Sequence, residues 1–181
     1  IYGWDIKKVL KLIRKSNTTP FEWLQSPIIY GEQSGFRDDL WELCQGYVYA
    51  KTNINHYLGI AKGALGTVIN DNEIKIKKLF YILRPLLSAK WCLERKTIAP
   101  MTISPLMTLM PEELQDDVRK MIHLKSTSPE GYIIKIDEEL KNYITEQFEV
   151  CSNGAKELPN ESFDANALDI FFRNTINRYD N

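Results

Sequence analysis

Lys77, Tyr81 and Arg84 recur at i, i+4 and i+7, a spacing that places three side chains on one face of a helix. Lys78 sits one position around. Pro85 cannot donate to the carbonyl of Tyr81, so the helix is expected to bend there. Cations and a hydroxyl beside a bend form a seat for a triphosphate. Arginine grips phosphate with two parallel hydrogen bonds, and lysine supplies a compact charge. The alternative is a solvated helix face, which runs of Lys and Arg usually are. A second basic group, Lys7, Lys8, Lys11, Arg14 and Lys15, falls within three turns near the start of the chain. It suits an RNA groove, because phosphate contacts supply most of the affinity there. Again the alternative is an amphipathic helix with a solvated basic face.

Composition narrows the classes. The chain has 181 residues, 44% hydrophobic and 26% charged, ordinary for a globular domain with a real core. The net charge of -1 excludes a global basic field, so any phosphate site is a local cluster. Cys44, Cys92 and Cys151 show no metal-ligand spacing, and reduced thiols in a cytoplasmic protein are expected. His56 and His123 stand far apart, against a zinc site. No apolar run approaches the ~20 residues of a membrane span, so no membrane partner is expected.

The elements that must position these residues are helical. Asp5 is placed as an N-cap, with Ile6, Val9, Leu10 and Ile13 as the apolar stripe behind it. The run from Ser16 to Pro20 ends that helix and starts a short one through Leu24. Ile28, Ile29 and Tyr30 read either as a short strand or as an extended apolar connector. Phe36 to Cys44 is a helix. Two long helices follow, about Thr52–Ile69 and Glu73–Lys96, with Asp71 and Asn72 as the joint. So short a joint favours an antiparallel hairpin. Gly59, Gly63 and Gly66 lie along one side of the first helix and are expected to admit a neighbouring helix closely. Prolines at 100, 105 and 111 make the next stretch irregular. Further helices cover about Glu112–Leu124, Asp137–Lys156 and the segment after Asp164. The expected fold is all-α or nearly so: an irregular helical domain over residues 1–181 with a central antiparallel helix hairpin.

Several blocks resemble a known family. Gly3-Trp4-Asp5-Ile6-Lys7-Lys8 matches G-W-D-(L/I)-(R/K)-K, and Lys15-Ser16-Asn17 matches K-S-N-P, with Thr18 in the place of the proline. Glu22-Trp23-Leu24 and Ser26-Pro27-Ile28-Ile29-Tyr30 match E-W-L-x-S-P-I-(V/I)-Y. His56-Tyr57 with Ala61-Lys62 matches H-Y-x-x-x-A-(K/R). The run from Lys77 to Leu87 matches K-K-x-x-Y-x-L-R-P-L-L. The resemblance is to nucleotidyltransferases of the DNA polymerase beta superfamily, in the branch associated with RNA repair. It is clear over Gly3–Arg95 and weak beyond.

The resemblance implies transfer of a nucleotidyl group from an NTP, with Mg2+, to an acceptor such as an RNA end. It implies nucleotide contacts from Lys78, Arg84, Lys77, Tyr81, His56, Lys62 and Asn17. In that superfamily a Gly-Ser turn and an Asp-x-Asp pair hold two metal ions. Neither pattern occurs among these residues. The expectation is therefore a helical portion that is inactive alone, with the catalytic region missing on the N-terminal side or supplied by a separate chain. The contrasting reading is a non-catalytic helical interaction module. Residue by residue, His56 reads otherwise as a polar residue at a core edge, and Tyr81 as core packing. Asn17 reads otherwise as part of a cap and turn. Glu22 is expected to pair and Trp23 to be buried, and Trp41, Trp91, Phe171 and Phe172 are assigned to the core.

Overall fold

The computed structural model describes residues 3–66 and 73–179. Its first helix, α1 (Ile6–Arg14), starts where Asp5 accepts a hydrogen bond from the Lys8 amide at 2.9 Å, satisfying one of the donors a helix start leaves open. Leu10 and Ile13 are buried, while Lys7, Lys8, Lys11, Arg14 and Lys15 stay exposed. Ser16 then adopts a left-handed backbone (φ 52°), unusual for a residue with a side chain. It is held there by its partners. The Tyr49 amide donates to Ser16 Oγ at 2.7 Å, and Asn53 Nδ2 donates to the Ser16 carbonyl and to Oγ. Asn17 caps the short α2 (Thr18–Leu24) through the Thr19 amide at 3.0 Å.

Helix α3 (Phe36–Gln45) follows an extended connector with no regular structure over Ile28–Tyr30. Next come α4 (Ala50–Leu65) and α5 (Ile76–Arg95), the antiparallel hairpin at the centre. They pack through Ile54, Tyr57, Ala61 and Ala64 of α4 against the buried face of α5. Helix α5 runs on through Pro85. The expected Asp71–Asn72 joint lies outside the described residues.

The chain then passes through α6 (Ile103–Leu106), a 3-10 turn at Met107–Leu109 and α7 (Glu112–Thr127). Helix α8 (Glu138–Glu157) is capped by Asp137, and α9 (Asn166–Tyr179) completes the described chain. The larger core joins α4, α5, α7 and α8; a smaller one gathers Leu10, Ile13, Phe21, Leu40, Cys44, Tyr47 and Leu168. Trp41, Trp91, Phe171 and Phe172 are half-buried. No described helix is long and apolar enough to cross a membrane.

Three sequence expectations are corrected. Gly59, Gly63 and Gly66 are exposed, and a Cβ at Gly59 or Gly63 would meet nothing within 4 Å. The close approach occurs instead at Gly154 of α8, where a Cβ would lie 2.7 Å from a Leu93 methyl of α5. Second, Glu73–Lys75 is not helical. It forms β1 and pairs antiparallel with β2 (Ile133–Lys135), Ile74 opposite Ile134. Strands of three residues carry too little alternation to show in a sequence. Third, Trp23 and Tyr81 are exposed, at 54% and 59%. Trp23 lies against Trp4, ring centroids 4.3 Å apart, rather than in the core.

Candidate functional site

Glu22, Tyr57 and Arg84 come from α2, α4 and α5 and meet at one point. Arg84 Nη1 donates to Glu22 Oε1 at 3.2 Å and to the Met101 carbonyl at 3.2 Å, while Nη2 reaches Glu22 Oε2 at 3.5 Å. The two side chains are 31% and 21% exposed, so the pair is only partly screened by water. Tyr57 is buried, and its phenol faces the Glu22 carboxylate. Burial, and then that carboxylate, push its pKa above the usual tyrosine value, with Arg84 opposing. The carboxylate therefore sits between a cation and a protonated phenol.

The supports of Glu22 explain its placement. One turn on, Gln25 donates to the Ala99 carbonyl and accepts from the Met101 amide, each at 3.0 Å. Arg37 Nε donates to the Leu24 carbonyl at 2.7 Å and Nη2 to the Ser26 carbonyl at 2.9 Å, closing the C-terminal end of α2. A guanidinium there also favours the helix dipole. Thus α2 is clamped to α5, to the segment around residues 99–101 and to α3.

The proposed nucleotide contacts fall into separate places. Tyr81 lies one turn before Arg84 on α5, and Lys78 Nζ sits 5.9 Å from the centre of its ring. These three share a region of the helix. Lys77 bonds to Glu130 at 2.8 Å; this contact raises the pKa of Lys77 and lowers that of Glu130. His56 is half-buried, its ring 6.0 Å from that of Tyr57. Lys62 borders a groove of about 1100 Å³ between α4 and α8, with Leu58, Ile144 and Phe148 among its walls. Asn17 is committed to the α2 N-cap.

Sequence reading anticipated that Glu22 would pair but did not identify Arg84, and it missed Gln25 and the Tyr57 hydroxyl. The available signal was a carboxylate in the block from Phe21 to Leu24 and an arginine in the apolar run of α5, each needing a partner once half-buried. Among the described residues no group of three or more His, Cys, Asp or Glu side chains could hold a metal ion. Cys44, Cys92 and Cys151 are buried free thiols. Burial pushes the first two up to about 12 and the third to about 11, the opposite of an activated nucleophile.

A family model described as the RNA repair pathway DNA polymerase beta family matches residues 1–174, so the match continues well beyond Arg95. The chain is also similar to an uncharacterized protein, YcgL, of Bacillus subtilis (strain 168). The two are 31% identical over 179 residues, covering 97% of this chain and 69% of the relative. No solved structure matches the chain significantly.

Proposed function

Since the chain belongs to the RNA repair pathway DNA polymerase beta family, we propose that it is the helical nucleotide-binding portion of a nucleotidyltransferase. The enzyme would take a nucleoside triphosphate and pass its nucleotidyl group to an acceptor, an RNA end. An acceptor oxygen would form a bond to the α-phosphorus, and pyrophosphate would leave as the old phosphoanhydride bond breaks. The observation that carries this reading is the placement of Lys78, Tyr81 and Arg84 along one stretch of α5, with Arg84 held by Glu22.

Each group has a defined task in that reading. Lys78 offers a compact charge to the triphosphate. Tyr81, exposed, offers a hydroxyl and a ring face. The Arg84 guanidinium carries more N–H donors than its present bonds use, so it can meet a phosphate while Glu22 and the Met101 carbonyl fix its plane. Such preorganised donors stabilise charge without reorganising during the reaction. The superfamily's reaction draws on Mg2+. The described residues offer cations and aromatics rather than a carboxylate cluster, so they do not fit that metal, and no step through it is assigned to them.

A second reading, a helical interaction module, is favoured by the exposed apolar run Ile28–Tyr30. Labelled NTP incubated with the whole protein, Mg2+ and mixed RNA acceptors separates the two. Label on RNA supports transfer. No label on any acceptor, with no NTP bound, supports the interaction module.

A further inference from the structure

Between Gly3 and Phe21 the sole carboxylate is Asp5, against five cations. Asp5 is occupied as the cap of α1. The chain as a whole carries -1, so positive charge is segregated onto this helix. None of Lys7, Lys8, Lys11, Arg14 and Lys15 pairs with a carboxylate among the described residues. Three make other contacts: Lys7 lies over Phe172, Lys8 over Trp4, and Arg14 bonds to the Phe163 carbonyl.

This cationic face leads directly into aromatic surface. Lys8 Nζ is 4.3 Å from the Trp4 ring centre, and Trp4 in turn lies 4.3 Å from Trp23, tilted by 35°. Trp23 is more than half exposed, and Ile28, Ile29 and Tyr30 beyond it are exposed too, Tyr30 at 99%. Trp23, Ile28 and Tyr30 border a shallow pocket of about 500 Å³. Large apolar side chains exposed together usually mark a binding surface. The bonds from Arg37 and Gln25 hold the end of α2 behind them, so the surface is presented on a fixed base.

A line of phosphate-binding cations continuing into exposed aromatic faces is the chemistry of single-strand recognition. The backbone follows the charge, and unpaired bases stack on the rings. A paired duplex hides its base faces and cannot use them. We propose that the basic face of α1 and the Trp4–Trp23 pair bind a single-stranded polynucleotide. The phosphates lie along Lys11 and Lys15, and bases lie against Trp23 and Tyr30. This deepens the acceptor side of the function proposed above and rests on it.

The test is fluorescence anisotropy of a short fluorescein-labelled strand titrated with the 181-residue chain, without NTP. RNA and DNA versions distinguish the two sources of a single strand, and binding of either supports the site. Affinity is expected to fall steeply between about 50 and about 200 mM salt. Lys11→Glu with Lys15→Glu is expected to weaken binding at least about tenfold. Trp23→Ala is expected to weaken it roughly tenfold while the circular dichroism spectrum is unchanged. No binding, equal binding of the matching duplex, or indifference to both sets of substitutions overturns the proposal. So does self-association through this face, lost in Trp23→Ala, with no strand bound. NTP is absent, so failure here leaves nucleotide binding on α5 intact. Conversely, a chain that binds the strand but binds no NTP in a separate titration defeats only the earlier reading.

Discussion

Arg84 and Glu22 stand 62 residues apart in the chain and 3.2 Å apart in space. Their contact joins α2 to α5, and the Met101 carbonyl and the Tyr57 phenol complete its surroundings. A phosphate-binding arginine is most useful when its plane is already set, and a carboxylate on one side does that. The same arrangement makes Arg84 part of the framework.

Arg84→Ala is therefore expected to destabilise the chain by about 1–3 kcal/mol. That lies between an exposed pair and a fully buried one, because Glu22 keeps a half-buried charge without its partner. Glu22→Gln should cost less, since the amide still accepts from the guanidinium. Thermal melts of the single and double variants check this. Additive losses would show that the pair makes no net contribution.

Gly63 and Gly154 should respond in opposite directions. Gly63 lies in α4 with open space around its would-be Cβ, so Gly63→Ala is expected to stabilise by about 0.5–1 kcal/mol. Gly154→Ala places a methyl 2.7 Å from Leu93. Overpacking typically costs about 1–3 kcal/mol, offset by up to about 1 kcal/mol of helix propensity. Urea titrations should show a net loss for Gly154→Ala. A gain there would mean Leu93 moves aside freely.

The buried thiols set a pH window. Cys44 and Cys92 rise from an ordinary 9.0 to about 12 in the folded chain. A raised folded pKa leaves their contribution intact below the unfolded value and removes it as pH climbs toward the folded one. Unfolding midpoints should thus decline between about pH 9 and about pH 12. Cys44→Ala with Cys92→Ala should flatten that decline. Below it, thiol reagents should modify the native chain far more slowly than the unfolded one.

Much of the fold was legible because helices advertise themselves. The Asp5 cap, the long helix from about Asp137 to Lys156 and the last helix after Asp164 need only local sequence, and each occurs as expected. What failed depends on distant partners. The Glu73–Lys75 strand exists because Ile133–Lys135 comes to it. Glycine spacing alone did not reveal whether a neighbour arrives: at Gly63 none does, and at Gly154 Leu93 does. Trp23 looked like core because tryptophan is usually well buried, yet its partner is another surface tryptophan. The candidate site was half visible. Arg84 stood out by its chemistry, but its anchoring by Glu22 and the Met101 carbonyl belongs to tertiary structure.

The central claim is that α5 presents Lys78, beside Tyr81 and Arg84, to a triphosphate. Equilibrium binding of NTP to the whole protein and to its Lys78→Ala variant tests it most directly. Lys78 is bound into no ion pair among the described residues, so its loss should leave the melting temperature unchanged. A charge-assisted phosphate contact is worth about 1.5–3 kcal/mol, so affinity should fall roughly ten- to a hundredfold. Lys78→Arg should recover part of the loss. Equal NTP affinity for wild type and Lys78→Ala, or no NTP binding by either, would contradict the account.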